Sequence, residues 1–213
     1  MGRQETGRRQ VASWAIAFLW VVMAGTPAWA SRTGPAVSVV RQFQDTLLAV
    51  MKAGKSLGFE GRYRKLLPAV RASHDLPYIA ELTLGPYWHK LTLAEHRAFV
   101  TEFARLTVAT YAAQFRRYSG QDFRRTASQT VAQGDVLVAT ELTTHGHKDA
   151  TIDYLLARSA GRWEIVNIVA NGVSDLALKR AQYTAIIRKK GFPVLLSILR
   201  AKVTELSRGA PKR

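Results

Sequence analysis

The junction between a predicted strand and a predicted helix carries the residues that most resemble a catalytic motif. Residues 172–174 read Gly-Val-Ser, which begins like the G-x-S-x-G turn that exposes the nucleophilic serine of many hydrolases. That turn needs a second glycine in order to pack, and Leu176 stands in its place. A serine before a helix can instead accept a hydrogen bond from an early helical N–H group. We therefore interpret Ser174 as a helix cap.

Two histidines form the other stretch with possible chemistry. His145 and His147 flank a glycine in a predicted hairpin loop, and Asp149 or Asp153 could help them to bind a metal ion. The spacing does not specify a third ligand, so we favour a polar turn and expect no metal. The chain also has no phosphate-binding loop, dinucleotide fingerprint or H-E-x-x-H motif. We expect a protein that is not an enzyme and needs no cofactor.

The composition is that of a basic chain without cysteine. The 213 residues include 31 Lys and Arg against 15 Asp and Glu, which gives a net charge of +16. This charge favours anionic partners such as a membrane surface. We expect no nucleic-acid partner, because the basic residues are scattered and no nucleic-acid-binding motif is present. Without cysteine no disulfide can form, so packing must stabilise the fold.

The beginning of the chain has the three parts of a secretory signal peptide. Arginines precede a short apolar run at 11–24, and Ala-Trp-Ala at 28–30 forms an A-x-A cleavage site. The apolar run is short for a membrane span. We expect an exported protein with a signal peptide at 1–30, a single domain at 31–207 and a basic tail at 208–213.

Helical periodicity predicts four helices before the first strand and two after the last. The first covers 36–52 and the second begins near Phe59. The third lies between a cap at Asp75 and a glycine at 85, and a capping box at 92–95 opens the fourth, which runs to about Tyr118. Its two apolar rows imply that the helix is covered on two sides or faces an apolar cavity. The last two helices cover 175–190 and the residues from Pro193 onward.

Period-two alternation predicts four strands at 122–131, 135–143, 149–158 and 162–170. The short turns between them favour an antiparallel meander. Helices, then strands, then helices indicate an α+β fold in which N-terminal and C-terminal helices pack against one antiparallel sheet of about four strands.

Apolar and aromatic side chains are concentrated on elements that should face one another. Core packing explains any one of them, and the alternative is that some line a cavity for an apolar ligand. The candidate lipid-binding residues are Val108, Tyr111, Phe115, Tyr154, Leu156, Ile165, Val169, Val173, Tyr183 and Ile187.

Three stretches resemble the MlaC or toluene-tolerance family of periplasmic lipid-binding proteins: "FVTEFARLTVATYAAQF", "TIDYLLARSAGRWEIVNIVANGVSDLALKRAQY" and "GFPVLLSIL". The resemblance covers about 36–205. "SDLALKRAQYTAIIRKKGF" is closer to the hopanoid-biosynthesis-associated branch, HpnM.

This resemblance implies a deep apolar cavity between the sheet and the helices. It also implies a monomeric periplasmic shuttle whose cargo is a phospholipid or a hopanoid-like lipid. Its partners would be an inner-membrane transporter component and an outer-membrane acceptor, with transient contact to a membrane surface. Two other functions stay open on the residues alone: an exported enzyme that modifies the envelope, and a protein-binding scaffold without lipid cargo.

Overall fold

The structure, a computed structural model, describes residues 30–209. The predicted signal peptide, apart from its last residue, and most of the predicted basic tail lie outside the described residues. Within 30–209 the chain forms six α-helices and five strands. The helices are α1 Ala30–Lys52, α2 Gly54–Ser73, α3 Leu76–Leu84, α4 Leu93–Gln114, α5 Asp175–Lys190 and α6 Phe192–Ser207. The strands are β1 Gln121–Thr130, β2 Val136–Thr144, β3 His147–Ser159, β4 Arg162–Ala170 and β5 Val173–Ser174.

The predicted helix caps are confirmed. The Asp75 carboxylate accepts a hydrogen bond from the N–H group of Tyr78 at 3.0 Å and begins α3. At the start of α4, the Glu95 N–H group donates to Thr92 Oγ1 at 3.3 Å, and the Thr92 N–H group donates to the Glu95 carboxylate at 2.8 Å. These bonds satisfy backbone donors that have no partner within the helix. The α4 helix ends at Gln114, earlier than predicted.

The first two helices differ from the prediction at their ends. The α1 helix begins at Ala30, so Pro35 lies inside it rather than before it. The helical spacing of apolar residues begins only after this proline, which is why the sequence pattern predicts a start at 36. The second helix begins at Gly54 rather than near Phe59, and Gly58, with a φ angle of 60°, interrupts it just before the predicted start.

The sheet is an antiparallel meander in the order β1-β2-β3-β4-β5. The predicted α+β class is confirmed, with five strands rather than four. The additional strand, β5, pairs Val173 with Ala170 and Ser174 with Val169 across the Asn171-Gly172 turn. Both turn residues have positive φ angles, as two-residue hairpin turns of this kind require. Two residues are too few to show alternation, so the sequence pattern predicts only a turn followed by a helix cap at this junction.

The core lies between one face of the sheet and the helices. Tyr154, Leu156 and Ile165 are buried on the sheet side, and Phe43, Leu47 and Phe99 are buried on the helix side. No helix among the described residues combines the length and the apolar character needed to cross a bilayer.

Candidate functional site

The corner between α2 and α3 is fixed against β4 by main-chain and side-chain hydrogen bonds. His74 forms a parallel β-bridge with Ile165, and the Asp75 N–H group donates to the Ile165 carbonyl at 3.1 Å. The ring nitrogens of His74 lie 2.8 Å from Ser73 Oγ and 3.1 Å from the Tyr111 hydroxyl. Burial lowers the pKa of His74 from 6.5 to about 4, so the ring is neutral at pH 7.

A small cavity lies directly behind this corner. Its volume is about 30 Å³, which is room for one or two water molecules. A site that holds a whole organic ligand usually needs several hundred Å³. The cavity is therefore too small to hold a whole lipid tail as it stands. The lining residues are His74, Leu76, Ile79, Phe103, Thr107, Tyr111, Ile165, Val166, Asn167, Ile168, Asp175 and Leu176.

An open groove of about 630 Å³ lies on the other side of the same corner. It shares His74 and Leu76 with the cavity, so these two residues lie between the groove and the cavity. We call it the corner groove. It is lined by Tyr63, Leu67, Arg71, His74, Asp75, Leu76, Pro77, Val100, Thr101, Ala104, Arg105, Ser159, Arg162 and Glu164.

Two of the three arginines of the corner groove are paired with carboxylates. Arg105 lies 3.2 Å from the buried Glu102 carboxylate, and Arg162 lies 2.9 Å from Glu164. Arg71, on α2, has no ion-pair partner among the described residues. The groove therefore combines apolar walls with cationic groups, some of which are already balanced.

The junction between β4 and α5 confirms that Ser174 is a cap. Its hydroxyl accepts a hydrogen bond from the Ala177 N–H group at 3.1 Å and donates to Asn167 Oδ1 at 3.0 Å. The same Asn167 oxygen accepts a longer hydrogen bond from the Leu176 N–H group. Both roles of the hydroxyl are thus structural, and Asn167 joins the strand to the helix at the cavity wall.

The two histidines of the β2–β3 hairpin lie in its turn and at the start of its second strand. His145 has a φ angle of 48° in the turn, and its ring lies against Gly120. His147 is exposed at the start of β3. Within 30–209, no three His, Asp or Glu side chains come together in a way that could hold a metal ion.

The ten predicted lipid-binding residues do not meet at one site. Tyr111 and Ile165 line the cavity. Val108, Tyr154, Leu156 and Tyr183 are buried in the core, whereas Phe115, Val169 and Ile187 are half-buried. Val173 lies on the surface with 58% of its area exposed, because β5 places it at the sheet edge.

Burial of the tyrosines is compensated by hydrogen bonds. The Tyr154 hydroxyl accepts a hydrogen bond from the Gln44 side chain at 3.4 Å, and burial raises the pKa of Tyr154 to about 12. Burial also raises the pKa of Tyr111 well above its ordinary value. Both hydroxyls stay neutral at physiological pH.

Sequence reasoning missed most of the cavity wall, above all His74, Phe103 and Asn167. His74 gave no pattern of its own in the sequence, because its partners Ile165 and Tyr111 lie far along the chain. The one local signal was its place before the Asp75 cap, at the end of a helix.

Comparison with known proteins agrees with this architecture. A family model described as "MlaC protein" matches residues 41–201, most of the chain. The chain belongs to the MlaC family. The proposed absence of an enzymatic activity is in keeping with this membership.

A solved structure supports the fold of this MlaC-family chain. It is the phospholipid-binding protein from Ralstonia solanacearum in complex with a phospholipid, and it matches with a TM-score of 0.70 at 20% sequence identity. The match covers 80% of this chain and 97% of that one.

Proposed function

We propose that this protein is a periplasmic lipid carrier that takes up a phospholipid or a hopanoid-like lipid and moves it between inner-membrane and outer-membrane systems. One observation carries the proposal: a small, largely apolar cavity and a large groove share the lining residues His74 and Leu76. Family membership and the phospholipid bound by the Ralstonia solanacearum protein support the same reading.

The physical need for a carrier follows from the hydrophobic effect. Burial of each CH₂ group contributes about 0.8 kcal/mol, so a sixteen-carbon chain gains on the order of 12 kcal/mol when it leaves water. A gain of this size requires an enclosed apolar site. It also means that release needs a partner that receives the tail directly, here an inner-membrane transporter component or an outer-membrane acceptor.

Uptake of a whole lipid tail requires this cavity of about 30 Å³ to expand, since an organic ligand needs several hundred Å³. We expect the α2–α3 corner to move, because it carries the residues shared by the groove and the cavity and is held by hydrogen bonds to Ile165 and Tyr111. The tail would enter past His74 and Leu76. The polar group of the lipid would lie in the corner groove, where Arg71 offers a cation for a phosphate.

A matched pair of substitutions on α5 tests the proposal. Leu176 lines the cavity and is half-buried, whereas Leu178 is 49% exposed on the same helix. We expect Leu176→Trp to fill the cavity and to lower the amount of co-purified lipid at least fivefold, a loss of about 1 kcal/mol. Leu178→Trp should retain the lipid content of the wild type.

The measurement is native mass spectrometry of protein purified from cells, followed by extraction and identification of the lipid. Circular dichroism would confirm that both variants fold. The extracted lipid would distinguish a phospholipid from a hopanoid and so test the HpnM assignment. A wild-type protein that carries no lipid and takes up none from vesicles would contradict the carrier function.

A further inference from the structure

A second open groove lies where the α1–α2 turn meets the end of α4. Its volume is also about 630 Å³, and it shares no residue with the corner groove. Its charged lining residues are Lys52, Arg116 and Arg117, and no Asp or Glu lines it. None of the three cations has an ion-pair partner among residues 30–209. We call this the cationic groove.

The backbone of the cationic groove is held in place by close packing. A Cβ atom on Gly54 would lie 2.1 Å from the Arg116 carbonyl oxygen, so only glycine permits this approach. The buried Arg62 side chain donates to the carbonyls of Ala112 at 2.7 Å and Gly54 at 3.0 Å. The Arg62 guanidinium is thus a further cation behind the groove. Burial and the nearby charge of Arg116 lower its pKa.

Like charges held together destabilise a folded protein, so stability does not explain this cluster. The corner groove shows the usual solution, in which carboxylates balance arginines. An unbalanced cluster in a fixed cleft instead attracts an anion from a distance. A multiply anionic partner fits it best.

The surroundings of the cations favour phosphate groups at a membrane surface over an acidic peptide. The hydroxyl of Ser56 already donates to the Ala53 carbonyl, and the Ser119 N–H group donates to the Gln121 side chain. One hydroxyl and one backbone N–H group of the groove are therefore already engaged. Tyr118 is 42% exposed beneath the Lys52 ammonium, whose nitrogen lies 5.1 Å from the ring centre. Tyrosine beside basic residues suits the headgroup layer of a bilayer.

We propose that the cationic groove docks the protein on the phosphate groups of an anionic bilayer. Arg116 and Arg117 would each bind a lipid phosphate, for which the planar guanidinium has matching geometry. Lys52 and Tyr118 would lie at the headgroup level. The proposal rests on the proposed function, since a lipid carrier has to reach a membrane. It adds the surface that makes the contact and the class of lipid that is recognised.

The test compares two double variants that remove the same charge. Arg116→Gln with Arg117→Gln neutralises the groove, and Arg188→Gln with Lys189→Gln neutralises two exposed cations at the end of α5. Sedimentation with vesicles of phosphatidylcholine and phosphatidylglycerol measures binding. We expect the groove variant to bind roughly 30-fold more weakly than the wild type and the α5 variant less than about threefold.

Three outcomes would overturn the docking proposal: equal losses in both variants, undiminished vesicle binding by the groove variant, or groove-dependent binding of polyglutamate but not of vesicles. The lipid content of the groove variant, measured by native mass spectrometry, should match that of the wild type. Groove-dependent vesicle binding by a protein that never carries lipid would retain the docking proposal and contradict the carrier function.

Discussion

The two open grooves have the same volume, about 630 Å³, but they differ in how their cations are balanced. In the corner groove, Arg105 and Arg162 are paired with the buried carboxylates of Glu102 and Glu164. In the cationic groove, no carboxylate accompanies Arg116 or Arg117. The corner groove also borders a cavity, whereas the cationic groove is backed by the packed α2–α4 contact.

This difference separates two tasks that a lipid carrier has to perform. A paired arginine has much of its field cancelled, so among the described residues the corner groove keeps one unbalanced cation, Arg71, which can hold a headgroup without attracting every anionic surface. Unpaired cations attract an anionic membrane surface over about a Debye length, roughly 8 Å in physiological salt. They therefore suit the first encounter between the protein and the membrane. The predictions below test this division.

The largest effect is expected from a methyl group at the base of the cationic groove. Gly54→Ala would force a Cβ atom against the Arg116 carbonyl, and backbone atoms cannot move away as side chains do. We expect a loss of about 2–3 kcal/mol in the free energy of unfolding, measured in urea. Vesicle binding should fall as well, because the segment that carries Arg116 and Arg117 has to shift.

Gly34 in α1 provides the matched control, since a Cβ atom there meets nothing within 4 Å. Gly34→Ala should stabilise the protein by about 0.5–1 kcal/mol through helix propensity. Equal stability of the two alanine variants would show that the close approach at Gly54 does not exist in solution.

Acid should weaken the wall between the corner groove and the cavity. The pKa of His74 falls from 6.5 in the unfolded chain to about 4 in the folded one, so between these values the unfolded state binds more protons. The contribution of His74 to the stability of the folded state is then fully present above about pH 6.5 and is lost as the pH falls toward 4. We expect this group to make the wild type about 2 kcal/mol less stable at pH 5 than at pH 7.

Urea denaturation at the two pH values measures this difference. His74→Gln should lose most of the dependence, because no ring remains to be protonated, although the loss of packing lowers its stability at pH 7. His147→Gln, on the exposed hairpin, should retain the wild-type dependence. A His74→Gln variant with an unchanged pH dependence would contradict the assignment.

Features set by neighbouring residues could be predicted from the sequence. The caps at Asp75, Thr92 and Ser174 each depend on a polar side chain within three residues of the N–H group that it accepts from. The strand order followed from short turns, and Asn171-Gly172 was recognisable as one of them. These signals were sufficient for the α+β meander.

Apart from Tyr111 and Ile165, the candidate site could not be predicted, because it depends on contacts between distant parts of the chain. His74 reaches the cavity through a bridge to Ile165, which no local pattern encodes. Val173 was a candidate lipid-binding residue but lies on a two-residue edge strand, where it is exposed. The unbalanced charge of Arg116 and Arg117 becomes visible only when the surrounding carboxylates are placed in space.

The smallest expected effect tests whether ion pairing of its arginines keeps the corner groove from binding to an anionic bilayer. Glu164 is buried, and its partner Arg162 is exposed, so Glu164→Gln leaves a similar shape but removes the balancing charge. If the balance of charge distinguishes the two grooves, this variant should bind anionic vesicles roughly threefold to fivefold more tightly than the wild type.

Glu205→Gln is the matched control, because it breaks an ion pair with Lys202 on the exposed face of α6 and changes the net charge by the same amount. We expect less than a twofold gain from it, since neither residue belongs to a groove and a solvated pair contributes little. Equal gains would mean that net charge alone governs vesicle binding. No gain from Glu164→Gln would mean that the corner groove faces away from the bilayer during docking, and orientation would then distinguish the two grooves instead of charge balance.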